Sequence, residues 1–226
     1  MGIVSTAIVP ALLLALWTSP SMAAALTGTV LVTGTLPKPK KLDVVIDQFA
    51  CGTEKDAGDL VLSPRKELAN AVVWIENAPD NAAAPQDKKV EIDQKACVFI
   101  PRVVVVPAKG TVFFLNSDKL LHNIHTTPKV NVEINRTQPK NRSIPVTFDK
   151  PEIVRIACDL HPWMTAWVVV AAHPYYAVTG ADGQFAFDVP PGQYKLKVWH
   201  ERLGTVESSA TVGDKAARVT VEMQAR

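Results

Sequence analysis

The chain has 226 residues, and its 24 Lys and Arg residues nearly balance its 22 Asp and Glu residues. A chain of this length can bury one large core or two modest ones. The basic residues are not gathered into a block, which argues against a nucleic-acid-binding protein and against a polybasic membrane-binding protein.

Residues 1–25 have the pattern of a secretory signal peptide. An apolar run from about Ala7 to Trp17 is too short to span a bilayer, and small residues suited to peptidase cleavage follow it. Cleavage after Ala23 or Ala25 predicts an exported, periplasmic protein without stable membrane insertion. The alternative is an uncleaved anchor.

The rest of the chain is predicted to be all-β. Runs such as "AVVWIE", "TVFFLN" and "TAWVVV" are short, rich in β-branched and aromatic residues, and separated by Pro, Gly and Asn. In "TVFFLN", Val112 and Phe114 should share one face of a strand. Helical periodicity is weak, so an antiparallel β-sandwich is the favoured class.

The pattern of apolar and turn residues changes after about His173, which predicts two domains of unequal size. Phe185 and Phe187 alternate with polar residues there, and "GADG" and "VPPG" form turn signals. We therefore predict a main domain over residues 26–172 and a smaller β-module over residues 173–226. In the module, His200 is interpreted as a surface residue at a strand end.

Three cysteines in an exported chain suggest one disulfide and one cysteine with another use. Cys51 and Cys97 lie in polar, loop-like surroundings, whereas Cys158 ends a strand-like run. In an oxidising compartment an unpaired thiol is oxidised or mispaired unless something such as a metal ion binds it. We predict a Cys51–Cys97 disulfide and a functional thiolate at Cys158.

The segment "CDLHPWM" offers a metal three ligands of soft or borderline character, namely Cys158, His161 and Met164. The thioether favours copper over zinc. A second imidazole lies about forty residues earlier, in "LLHNIH", where His122 and His125 are both candidates. Two histidines, one cysteine and a distant methionine form a blue-copper site, which carries single electrons. The sequence offers no cluster of carboxylates that could form an open catalytic metal site, so we do not expect an enzyme.

The segments "LHNIH" and "CDLHPWM" resemble those of the cupredoxins, in particular the amicyanin and plastocyanin-like proteins. The resemblance implies a Greek-key β-sandwich that holds one mononuclear copper ion. It selects His122, which asparagine follows directly, as the ligand and implies that His125 does not bind the metal. The two residues are three positions apart, so on one strand their side chains should point to opposite faces, which agrees with this choice. Asn123 and Asp159 are then expected to support the ligands through hydrogen bonds, and Asn123 to connect the two ligand segments.

The same resemblance implies an electron carrier with redox-protein partners, such as a dehydrogenase or a c-type cytochrome. The tail resembles the carboxypeptidase-regulatory or transthyretin-like modules, and the combination is similar to bacterial methylamine-utilisation-type proteins. We expect His161 near solvent, with Pro162 and Trp163 forming an apolar rim for partner docking. The alternatives are a copper chaperone or store and, from the tail alone, an accessory or adhesive module.

Overall fold

The computed structural model describes residues 24–79 and 89–225, and nearly all of their regular structure is β, which confirms the predicted fold class. The predicted signal peptide lies outside the described residues except for Ala24 and Ala25, which begin the first strand. Within the described residues, no helix is long and apolar enough to cross a membrane. In chain order the elements are β1 (Ala24–Gly34), β2 (Lys41–Asp43), α1 (Gln48–Cys51), β3 (Glu54–Asp56), β4 (Val72–Ile75), β5 (Val90–Lys95), β6 (Val98–Ile100), β7 (Val103–Pro107), β8 (Gly110–Asn116), β9 (His122–Thr127), β10 (Asn135–Gln138), β11 (Ser143–Phe148), β12 (Glu152–Ala157), β13 (Thr165–Ala171), β14 (Tyr176–Val178), β15 (Gln184–Val189), β16 (Gly192–His200), β17 (Gly204–Val212) and β18 (Ala217–Ala225).

The middle of the chain forms one β-sandwich. Its sheets have the strand orders β10-β9-β12-β13-β7 and β11-β8-β5-β6. Side chains alternate along each strand, so Val112 and Phe114 on β8 both face the core and are fully buried. Phe148 on β11 and Ile156 on β12 pack into the same core from the two sheets. This first sandwich carries the residues of the predicted metal site.

A second sandwich is assembled from both ends of the chain, and its sheets have the orders β15-β1-β18 and β14-β4-β16-β17. Strand β1 pairs antiparallel with β15 and parallel with β18, while β4 pairs with β14 and β16. The predicted boundary, which placed residues 26–172 in one domain, is therefore wrong for β1 and β4. Their buried side chains, such as Leu26, Val30 and Ile75, belong to the core of the C-terminal strands.

The two sandwiches stack face to face. On β13, Val168 points into the first core, whereas Val169 on the opposite face contacts the second sandwich. On β4, Val73 points into the second core and Val72 meets Val169 and Val103 between the two sandwiches. Strands β4 and β13 are apolar on both faces, and alternate residues point to opposite faces. One face of each strand therefore packs into its own core and the other face packs between the sandwiches, which gives four layers of sheet.

His200 is buried in this arrangement, and the interpretation of it as a surface residue was wrong. The residue ends β16 with 1% of its surface exposed, and its Nδ1 accepts a hydrogen bond from the Arg202 N–H at 3.3 Å. Burial lowers the pKa of His200 from 6.5 to about 4, because a charged imidazole loses its hydration there.

We expect the burial of His200 to make the protein less stable as pH falls from about 6.5 to about 4. In that window the unfolded chain binds a proton that the folded chain does not, so the free energy of unfolding decreases by about 3 kcal/mol across it. Urea unfolding across this range should show a smaller loss for His200→Asn. His125→Asn, which changes a partly exposed histidine, should keep the full loss. An unchanged profile for His200→Asn would contradict the assignment.

Residues 41–56, here called the cap, leave the second sandwich and cover one end of the first. The cap contains β2, α1 and β3, and β2 pairs only with β3 among the described strands. The predicted Cys51–Cys97 disulfide is confirmed, and it joins α1 to the turn between β5 and β6. Its two cysteines are 46 positions apart in the sequence, and a crosslink of that span stabilises a fold by about 4 kcal/mol in the chain-entropy account.

Candidate metal centre

Strand pairing brings the two predicted ligand segments together. His122 begins β9, and Cys158 directly follows β12. These strands are antiparallel neighbours, with Ala157 opposite His125, so the start of β9 lies beside the end of β12. His161 lies in the short turn that joins β12 to β13, on the same end of the sandwich.

Three of the four predicted ligands converge in a buried cluster. The Nδ1 atoms of His122 and His161 lie 2.9 Å apart, and the Sγ atom of Cys158 lies 3.9 Å from the first and 3.5 Å from the second. Both imidazoles are fully buried, and Cys158 is 2% exposed. Each residue thus directs a metal-ligating atom to one common point.

Met164 lies at the base of the same turn. Its N–H donates to the carbonyl of His161 at 2.9 Å, which closes the turn, and its side chain is 1% exposed within the core that contains Cys158. Met164 is thus buried directly beside the ligand turn. Its role in metal binding remains a proposal.

Burial shifts the pKa of two of the ligands in opposite directions. Desolvation lowers the pKa of His122, although Asp118 opposes this effect, and the imidazole is therefore kept neutral. Desolvation raises the pKa of the Cys158 thiol, while a hydrogen bond from the Asn123 N–H to Sγ at 3.4 Å opposes the shift. A metal must therefore displace the thiol proton when it binds, and its affinity should fall in acid.

The outer nitrogen of each imidazole contacts a carboxylate. His122 Nε2 lies 3.0 Å from Asp118 Oδ2, and His161 Nε2 lies 3.1 Å from Asp47 Oδ2. A carboxylate on the outer nitrogen favours the proton there and leaves the Nδ1 lone pair free, which suits a metal ligand. Both rings are thus held with Nδ1 towards the sulfur.

Asn123 and Asp159 connect the two ligand segments. The Asn123 side-chain oxygen accepts a hydrogen bond from the Asp159 N–H at 2.6 Å, and its Nδ2 donates to Asp159 Oδ2 at 3.1 Å. The Asp159 carboxylate also accepts a hydrogen bond from Asn135 at 2.8 Å. These contacts fix the positions of Cys158 and of the first residues of β9.

His125 lies outside the cluster, on the other face of β9. Its Nδ1 lies 2.9 Å from Asp159 Oδ1 and its Nε2 lies 3.1 Å from Glu133 Oε1, with 30% of the side chain exposed. The hydrogen bonds with Asp159 and then Glu133 raise the pKa of His125. Strand alternation accounts for the separation of His125 from His122.

The expected solvent-exposed edge at His161 is not present. His161 is fully buried, and Trp163 is 8% exposed with its indole N–H donating to the Cys97 carbonyl at 2.9 Å. Pro162 is exposed. Trp163 is therefore a core residue and not part of an apolar rim, because the cap and its disulfide cover that side.

The donor set fits a single metal ion. Donors that bind one ion at about 2.0–2.3 Å lie roughly 3–4 Å from one another, which is the range of the three separations between His122, His161 and Cys158. A thiolate with two neutral imidazoles suits copper or zinc, and a thioether nearby favours copper.

Comparisons with known proteins give limited similarity. No family model matches the chain, and no curated protein does. Among solved structures, a copper-containing nitrite reductase from Thermus scotoductus is 21% identical over 42% of this chain and 25% of its own, with a TM-score of 0.36. A purple cupredoxin from Nitrosopumilus maritimus is 21% identical over 37% of this chain and all of its own, with a TM-score of 0.33.

An amicyanin from Paracoccus versutus is 19% identical over 44% of this chain and 97% of its own, with a TM-score of 0.34. The chain therefore spans about a quarter of the nitrite reductase and almost the whole of the two smaller proteins. Similarity at this level assigns neither an activity nor a ligand set, so the case for the site rests on its geometry.

Sequence reasoning missed both carboxylates at the outer nitrogens. Asp118 could have been found, since it lies four residues before His122 in the polar turn "NSDKLL". Asp47 lies 114 residues from His161 in the sequence, and no local pattern connects the two.

Proposed function

We propose that the chain is a cupredoxin-like protein that binds one copper ion through His122, Cys158, His161 and Met164 and carries single electrons. The observation that carries this proposal is the convergence of two imidazole nitrogens and a thiol sulfur within 3.9 Å of one another in a buried cluster. A type 1 copper site uses this donor set.

The residues around the site support electron transfer rather than substrate chemistry. A copper ion bound here would supply the one-electron couple. His122 and Cys158 are held by paired strands and buried hydrogen bonds, so they stay in place when the charge of the site changes. The burial of His161 excludes water from the site. Because such a site neither moves nor gains water when its charge changes, its surroundings rearrange little during electron transfer.

We infer that the partners are redox proteins, such as a dehydrogenase or a c-type cytochrome, and that the protein acts in the periplasm. The Cys51–Cys97 disulfide supports an oxidising compartment. Exposed apolar side chains next to the ligands in sequence offer contacts for a weak partner, namely Leu121 and Leu160. They replace Trp163 as the proposed docking residues, together with Pro162.

The alternative is a copper chaperone or store. A protein that passes copper on needs ligands within reach of its partner, whereas His122 and His161 are both fully buried. The chain has four methionines in all, and Met-rich tracts are absent from its sequence. The carrier therefore remains the favoured function.

Titration of the mature, full-length protein with cupric ion tests the proposal. We expect an intense visible absorption that saturates at one equivalent, disappears on reduction and returns on reoxidation. A thiolate bound to cupric ion is the source of that absorption. Binding of cuprous ion alone, without a coloured cupric form, would support the chaperone instead.

A further inference from the structure

The face of His161 that looks away from the ligand cluster is covered by the cap. The His161 ring is fully buried although Pro162, the next residue in its turn, is exposed. Its Nε2 lies 3.1 Å from the carboxylate of Asp47, which belongs to the cap. The covering group therefore comes from a segment distant in sequence and not from the ligand turn itself.

Asp47 is held rigidly by the backbone of the cap. It has a left-handed conformation with φ of 54°, which aspartate tolerates better than most residues. Its carbonyl accepts hydrogen bonds from the N–H groups of Ala50 and Cys51, both at 2.9 Å. Val44, three residues earlier, is buried in the first core, so the cap is anchored on both sides of Asp47.

The disulfide connects this arrangement with the other imidazole. Cys51 ends α1 and is bonded to Cys97. The N–H of Cys97 donates to Asp118 Oδ2 at 2.8 Å, and the same oxygen lies 3.0 Å from His122 Nε2. The carbonyl of Cys97 accepts the indole N–H of Trp163. One disulfide thus borders both outer carboxylates and the ligand turn.

We propose that Asp47 is a positioning residue for His161, and that the Cys51–Cys97 disulfide keeps it in that position. The carboxylate holds the Nε2 proton and turns Nδ1 towards Cys158, while the cap blocks rotation of the ring out of the site. The consequence is slow release of the metal. The statement about metal release rests on the proposed function, whereas the contact itself does not.

Two measurements test the role of Asp47. In metal-free protein, acylation of His161 by diethyl pyrocarbonate, followed by peptide mass spectrometry, should be slow in the wild type and fast in Asp47→Ala. In protein loaded with Co²⁺, Asp47→Ala should release the ion to a chelator about 10–100-fold faster. Asp47→Asn, which keeps the size of the side chain, should give an intermediate rate.

The matched control is Asp43→Ala. Asp43 is an exposed residue of the cap whose side chain makes no hydrogen bond or ion pair within the part of the chain that the structure describes. It should match the wild type in both measurements. If Asp47→Ala behaves like Asp43→Ala, with slow acylation and slow release, the positioning role is refuted while a metal-binding wild type leaves the proposed function intact.

The role of the disulfide is tested with the double variant Cys51→Ala/Cys97→Ala. The disulfide is proposed to act through Asp47. Adding Asp47→Ala to this variant should therefore cause little further increase in the rates of His161 acylation and metal release. Fully additive effects would overturn the anchoring role. If the wild type takes up no metal, the proposed function fails, and the acylation of His161 in metal-free protein still decides whether Asp47 covers the ring.

Discussion

Cys158→Ser is expected to abolish the visible absorption of the cupric protein and to weaken copper binding by more than about 100-fold. Cys158 supplies the thiol sulfur of the cluster, and serine offers a hydroxyl that does not form a thiolate-like bond with copper at neutral pH. Absorption spectroscopy with cupric ion measures the colour, and competition with a chelator measures the affinity. The small change in volume leaves the fold intact.

The matched variant is His125→Ala. His125 lies on the other face of β9 and contacts Asp159 and Glu133 instead of the cluster. It should retain the absorption and the stoichiometry of the wild type. Loss of colour in a folded His125→Ala protein, or its persistence in Cys158→Ser, would show that the ligands are assigned wrongly.

Glu201→Ala is expected to lower the free energy of unfolding by about 3–5 kcal/mol. The Glu201 carboxylate forms a two-point ion pair with Arg102 and accepts a hydrogen bond from the Trp167 indole N–H at 3.0 Å. The side chain of Glu201 is 9% exposed and that of Arg102 is 17% exposed. Alanine would leave the largely buried Arg102 guanidinium without its counter-ion, with one hydrogen bond to the Ala57 carbonyl, and the part-buried indole N–H without its partner.

This ion pair also joins the two sandwiches, because Arg102 precedes β7 of the first and Glu201 follows β16 of the second. Urea unfolding should therefore show a lower midpoint and two separated transitions in Glu201→Ala. Glu207→Ala is the control, since that side chain is 72% exposed and lies 3.5 Å from Lys197; it should change stability by less than about 0.5 kcal/mol. Equal effects of the two variants would contradict the role of the pair.

The sequence predicted the β-class of the protein but not how its strands divide between the two sandwiches. The β-class follows from local alternation and turn residues, and Val112 and Phe114 share a buried face as expected. The membership of β1 does not follow, since its partners β15 and β18 lie more than 150 residues away. An apolar strand will pair with any complementary edge, so only the packed structure decides which edge it joins.

The site divides in the same way. Residue chemistry and spacing selected Cys158 and His161, because a metal needs particular donor atoms and a short turn keeps two of them together. They left His122 and His125 both open, and the resemblance to the cupredoxins selected His122. The sequence also predicted the Cys51–Cys97 pairing, because these two cysteines lie in polar, loop-like surroundings whereas Cys158 ends a strand-like run. Only the tertiary structure decided that the cap covers His161 and that Asp47 contacts its outer nitrogen. That contact joins residues from distant parts of the chain, and such contacts depend on how whole elements pack and not on any local pattern.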